Sequence, residues 1–139
     1  MATNTQFSIA VHIMAGLGFL CGSDVTSTDL ATSVNTSPSF VRRVLAKLSK
    51  AGLVITATGK GGTCRLGRPA EKITLLDIYL AVDAPKAFAI HKYPEQKICP
   101  ISCRIKSALE GVLDKSQQSL TSTLRKITLA EVISEMKLD

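Results

Sequence analysis

The stretch TSTDLATSVNTSPSFVRRVLAKLSKAGLV (residues 26–54) reads as two short helices joined by a turn. Thr26-Ser27-Thr28-Asp29 offers hydroxyl caps followed by an acid three residues on, which opens a helix through Leu30, Ala31 and Val34. Asn35-Thr36 turns the chain. Ser37-Pro38 then places an N-cap before a proline at the first helical position, where its missing N–H costs nothing. The second helix runs through Phe40, Val41, Val44, Leu45 and Leu48 to Gly52, a C-terminal stop. It is apolar along one side and cationic elsewhere, at Arg42, Arg43, Lys47 and Lys50.

On either side of this pair the pattern changes. Upstream, Phe7, Ala10, Met14, Leu17 and Cys21 fall at helical spacing, and Ile9, Val11, Ile13 and Leu20 add apolar character around them. That predicts a helix over 6–21 buried on more than one side. Downstream, residues 53–57 are β-rich, Gly59-Lys60-Gly61-Gly62 is a turn, and residues 63–66 form a returning strand. Thr74-Leu75-Leu76-Asp77 caps another helix through Val82, and residues 83–98 read as loop. A long helix is expected from Pro100 to about residue 127, carrying Ile101, Ile105, Leu109, Val112, Leu113, Leu120 and Leu124, with Gly111 its weak point. Thr128-Leu129-Ala130-Glu131 caps a final short helix.

The 139 residues are 45% hydrophobic and 20% charged, enough for one compact domain with an oligomerisation appendage and too apolar for disorder. No apolar run reaches the roughly 18–20 residues of a membrane span. No Lys or Arg precedes Arg42, so the basic start of a signal peptide is missing. Four cysteines, at 21, 64, 99 and 103, are too scattered for a disulfide-stapled secreted scaffold. A cytoplasmic protein is expected. The formal charge of +6 is unevenly spread. Residues 42–72 hold Arg42, Arg43, Lys47, Lys50, Lys60, Arg65, Arg68 and Lys72 against Glu71 alone, whereas residues 1–41 hold two acids and no base. A concentration of that kind points to a polyanion.

Three helices followed by a two-stranded hairpin is the order of a winged helix-turn-helix. The expected fold is therefore mainly α with a small β-hairpin: a DNA-binding domain over residues 1–83, then a linker loop and dimerisation helices over 84–139. Ser37, Ser39 and Arg43 lie near the N-terminal end of the third helix and are placed to reach base edges, Arg43 by bidentate donation to guanine. Lys47 suits phosphate oxygens, and Arg42 shares the cationic side. Lys60, at a glycine-rich tip, and Arg65 are placed to approach a groove or the backbone. The long helix has more apolar stripe than so small a core can bury, which pairing with a second copy in a homodimer would solve; antiparallel packing within the chain is the alternative. No Ser-His-Asp set, phosphate-binding loop or dinucleotide fingerprint is present, so no enzyme is expected.

The run from Thr28-Asp29-Leu30-Ala31 through Ser37-Pro38-Ser39-Phe40-Val41-Arg42-Arg43 to Gly52-Leu53-Val54 resembles the Rrf2 family of bacterial transcription regulators, winged-helix repressors of the IscR, NsrR and CymR type. Gly59-Lys60-Gly61-Gly62, Leu66-Gly67-Arg68-Pro69 and residues 73–82 match in the same order, and Val41-Arg42-Arg43 with residues 88–91 looks most like the YwnA-like branch. The resemblance covers essentially the whole chain. It implies a homodimer whose long C-terminal helices cross between subunits, each winged helix reading half of a roughly palindromic operator. Members commonly carry Arg just before the first wing glycine; Thr58 stands there in this chain.

Well-studied members hold an iron–sulfur cluster through three cysteines in the loop before the long helix. Here that loop supplies only Cys99 and Cys103, with no later cysteine and Cys64 the nearest earlier one. Such clusters need more thiolates, so no cofactor is expected. His91 with Cys99 and Cys103 is likewise an incomplete zinc set, and no metal site is assigned. Cys99, at a helix start near Lys97, is instead the candidate for a thiol switch with Cys103 as its companion. The alternatives are inert thiols, with Cys21 and Cys103 as small core residues, or regulation by a small ligand.

Overall fold

The structure is a computed structural model and describes residues 4–21, 23–57 and 62–137. In chain order it contains α1 (Gln6–Phe19), β1 (Val25–Thr26), α2 (Ser27–Val34), α3 (Pro38–Lys50), β2 (Val54–Thr56), β3 (Thr63–Leu66), a 3₁₀ turn (Ala70–Lys72), α4 (Leu75–Ala81), α5 (Pro100–Lys126) and α6 (Leu129–Glu135). Two compact units result, one of Met1–Ala84 with Leu124–Asp139, the other of Pro85–Thr123.

In the first unit α1 is the central element. Ala10, Ile13, Met14, Ala15 and Leu17 are all buried, and the helix touches α2, α3, α4, α6 and β3. An element surrounded in this way needs apolar residues on several sides, as its sequence has. It stops at Phe19, short of the expected end, so Cys21 falls off the stripe and is exposed. Cys64, on β3, is the buried cysteine.

The helix-turn-helix is set by its caps. Thr26 and Asp29 form a capping box, Thr26 N–H donating to the carboxylate at 3.0 Å and Asp29 N–H to the hydroxyl at 3.2 Å. Asn35 ends α2 in the left-handed region at φ 67°, which asparagine tolerates. Ser37 Oγ accepts from Phe40 N–H at 3.2 Å, with Pro38 opening α3. Val41, Val44, Leu45 and Leu48 enter the core. Gly52, at φ 79°, then releases the chain into β2.

The hairpin β2–β3 pairs Val54 with Leu66, Ile55 with Arg65 and Thr56 with Cys64. The sheet has a third strand that the sequence did not reveal: β1 pairs antiparallel with β3, Val25 opposite Cys64, giving the order β1-β3-β2. The wing is therefore joined to the segment between α1 and α2.

The C-terminal helix differs from its expected place with the second part of the chain. Leu129 N–H donates to Ile73 O at 2.8 Å and Leu75 N–H to Ile127 O at 2.9 Å, flanking a bridge between Thr74 and Thr128. Leu129 is fully buried in the first unit, and Ile133 lies against Gly18 of α1. The apolar side of α6 thus finds its partner in α1, and the boundary at 83/84 does not carry residues 124–137 with the loop. The second unit consists of residues 85–98, without regular structure, and the greater part of α5. At 27 residues α5 is about 40 Å long. It runs unbroken through Gly111, and none of its residues is buried. Among the described residues no helix is long and apolar enough to cross a membrane.

Candidate nucleic-acid interface

With one side of α3 in the core, the opposite side carries Ser39, Arg42, Arg43, Ala46 and Lys50, all exposed. Ser39, Arg43, Ala46 and Lys50 follow one another at spacings of four, three and four, so they form one line along the helix. No Asp or Glu lies on α3. Among the described residues the one ion pair is Arg68 with Asp77, at 3.6 Å. Among the described residues the cations of α3 thus have no carboxylate partner, and Arg42, Arg43 and Lys50 are exposed.

Between α3 and the sheet lies a groove of about 680 Å³, lined by Arg42, Ala46 and Lys50 on one wall and by Thr56, Thr63 and Cys64 on the other. Burial raises the Cys64 thiol pKa above its ordinary value, keeping the floor uncharged. Arg42 faces this groove. Lys50 shares it and lies in line with Ser39, Arg43 and Ala46 along the helix, a candidate that the sequence reading did not single out. Lys47 sits at the flank, half-buried.

Two further candidates have surroundings of their own. Ser37 is exposed, but its Oγ caps α3 and lies 3.3 Å from Ser39 Oγ, so part of its hydrogen-bonding capacity is already used. Arg65 is exposed on β3, one residue beyond Cys64. Alternation along the strand puts it on the other face of the ribbon, in a separate depression with Asp24 and Ile55. Lys60, like Thr58, lies outside the described residues. Arg43 is placed with more definition than its exposure suggests: its guanidinium carbon stands 5.3 Å from the centroid of the Phe40 ring.

In the second unit the loop is tied to the first turn of α5. Cys99 precedes that helix, and its sulfur accepts from Ser102 N–H at 3.4 Å, while the Cys103 thiol donates to Gln96 O at 3.2 Å. Gln96 N–H donates to Ser102 Oγ at 2.9 Å, and Tyr93 O–H donates to Ser102 O at 2.6 Å. His91 stacks on Tyr93, centroids 4.9 Å apart. Cys99 is half-buried and Cys103 exposed, so neither Cys103 nor Cys21 is a core residue.

Comparison with known proteins gives this geometry a context. The model of the Rrf2 family, described as iron-dependent transcriptional regulators, matches residues 3–135. The chain is 32% identical over 135 residues to YwnA of Bacillus subtilis strain 168, named as an HTH-type transcriptional regulator, covering 96% of this chain and 98% of that one. Among solved structures, a transcriptional regulator from Lactobacillus plantarum superimposes with a TM-score of 0.81 at 24% identity, covering 95% of this chain and 89% of the other. CymR of Staphylococcus aureus in its oxidised form gives 0.72 at 21% identity, covering 100% and 99%. These two likenesses speak to the fold. Among the described residues no donor set fits the iron in the family's description. The thiols of Cys99 and Cys103 are engaged in local hydrogen bonds, His91 is stacked on Tyr93, and among the described residues no three His, Cys, Asp or Glu gather as metal ligands.

Proposed function

The chain belongs to the Rrf2 family of DNA-binding transcription regulators, and from that premise we propose that it is a cytoplasmic, homodimeric repressor that reads a roughly palindromic duplex and responds to thiol oxidation at Cys99. The observation that carries the DNA reading is the line of Ser39, Arg43, Ala46 and Lys50, uncompensated by any acid and continuous with the Arg42 groove. In this reading Arg43 donates to a base edge, and Arg42, Lys47 and Lys50 bind phosphates. Lys60 is the candidate wing contact, and Arg65 a second one from the face of the ribbon turned away from the groove.

Competition binding tests it. Arg43→Ala is expected to weaken binding to a selected duplex by about ten-fold or more while binding to random DNA changes little. Equal loss on both would remove Arg43 from base reading. Dimerisation is supported by α5, on which Ile101 is 71% exposed and Val112 58% exposed, with no buried residue along the whole helix. Apolar surface on that scale is ordinarily covered by a partner. Sedimentation at micromolar concentration showing a single-chain mass of 14.8 kDa would reject the dimer.

The thiol response is supported by the position of Cys99, whose sulfur caps α5. A peroxide would convert its S–H to S–OH while being reduced to water, and the altered cap would reach the helix directly. The expected result is loss of operator affinity on oxidation in the wild type and none in Cys99→Ser. A Cys99→Ser protein that still responds would discard this role.

A further inference from the structure

Arg43 and Phe40 are three apart on α3, neighbours on one helical face. Phe40 is half-buried with its ring packed on the core, and the guanidinium of Arg43 covers it at 5.3 Å, within cation–π range. An arginine on an exposed helix face is ordinarily free among many rotamers, and binding must freeze one of them. A salt bridge would restrain it too, but would occupy the donors that a base needs. The aromatic face restrains it differently. It attracts the cation through the charge of its face and takes no N–H donor into a hydrogen bond.

We propose that Phe40 is a positioning residue for sequence reading, an aromatic platform that holds Arg43 in a reading rotamer with its donors unspent. The inference rests on the reading of Arg43 as a base contact and adds the source of its selectivity. It follows from three features: the ring's packing, half-buried, against the core, the guanidinium above it, and the lack of any carboxylate on α3 to compete. Phe40 then contributes to base discrimination without touching a base.

The test uses the full-length protein and a randomised duplex library, followed by binding to the enriched sequence and its single-base variants. Phe40→Leu keeps an apolar side chain and removes the ring. It is expected to reduce discrimination by about 2- to 5-fold at the one base position that Arg43→Ala flattens, leaving other positions and random-DNA binding unchanged. Phe40→Tyr is expected to retain discrimination. The double variant should discriminate no worse than Arg43→Ala alone. A full additional loss in the double variant, or unchanged discrimination in Phe40→Leu, overturns the proposal. Enrichment by the wild type with no base position sensitive to Arg43→Ala overturns it while leaving DNA binding intact. No enrichment at all overturns both. Should Phe40→Leu fail to fold, the wild type itself decides by NMR: ring-current-shifted side-chain protons of Arg43 support the platform, and random-coil shifts reject it.

Discussion

Gly67 lies with its α-carbon against the backbone carbonyl of Gly52, so close that a Cβ there would collide with the oxygen. Gly67 N–H also donates to Leu53 O at 2.9 Å. The return arm of the wing is thereby fastened to the exit of α3, the helix whose exposed side forms the candidate interface. Backbone cannot give way as a side-chain tip can. Gly67→Ala is expected to cost about 1–3 kcal/mol of stability, read as a lower urea midpoint with an unchanged slope. A midpoint equal to that of the wild type would show that the approach is looser than described.

Lys50 lines the same groove as Arg42 and has no acidic neighbour on its helix. If it neutralises a phosphate, Lys50→Ala lowers the slope of log K against log salt by about one unit and weakens all sequences alike. Titrations at several salt concentrations give that slope. An unchanged value would place Lys50 outside the interface.

Asp29 titrates below the ordinary carboxylate range, chiefly because it accepts the backbone N–H of Thr26 and secondarily through the Thr26 side chain. A carboxylate depressed in the folded state stabilises above its unfolded pKa, and that contribution is lost as pH falls through the folded value. The α2 cap should therefore hold at neutral pH and weaken only in acid. Carboxyl NMR titration should show Asp29 low in the wild type and partly restored in Thr26→Val, where the backbone donor remains. An ordinary value in both would mean the box is open in solution.

Leu129 has no exposed surface and sits in the core of the first unit. Leu129→Ala is expected to destabilise that unit by about 3 kcal/mol, the scale of a buried leucine truncation. Chemical denaturation followed by probes in α1 and α3 measures it. A change confined to α6 fraying would contradict the packing.

What the sequence revealed was local. The caps at Thr26, Ser37, Thr74 and Thr128 are each read from a few adjacent residues, and each makes the hydrogen bond its motif implies. The features it hid join distant residues. Strand β1 is two residues long and exists through Cys64, far along the chain. Leu129 belongs to the first unit through Ile73, which no periodicity records. Cys21 was placed in the core by extending the α1 stripe past the point where the helix ends. At the candidate interface, residue types identified the cationic helix, but the groove that Arg42 and Lys50 share with the sheet depends on contacts between distant segments.

The docking of Leu129 beneath Ile73 orders events during synthesis. A ribosome delivers α1, α3 and both strands of the wing well before it delivers Leu129. Until that leucine emerges, the hydrophobic interior is open and α6 has not covered its part of α1. A nascent or prematurely terminated product would therefore carry the cationic helix on an unfinished scaffold, exposed to proteolysis before it could compete for DNA.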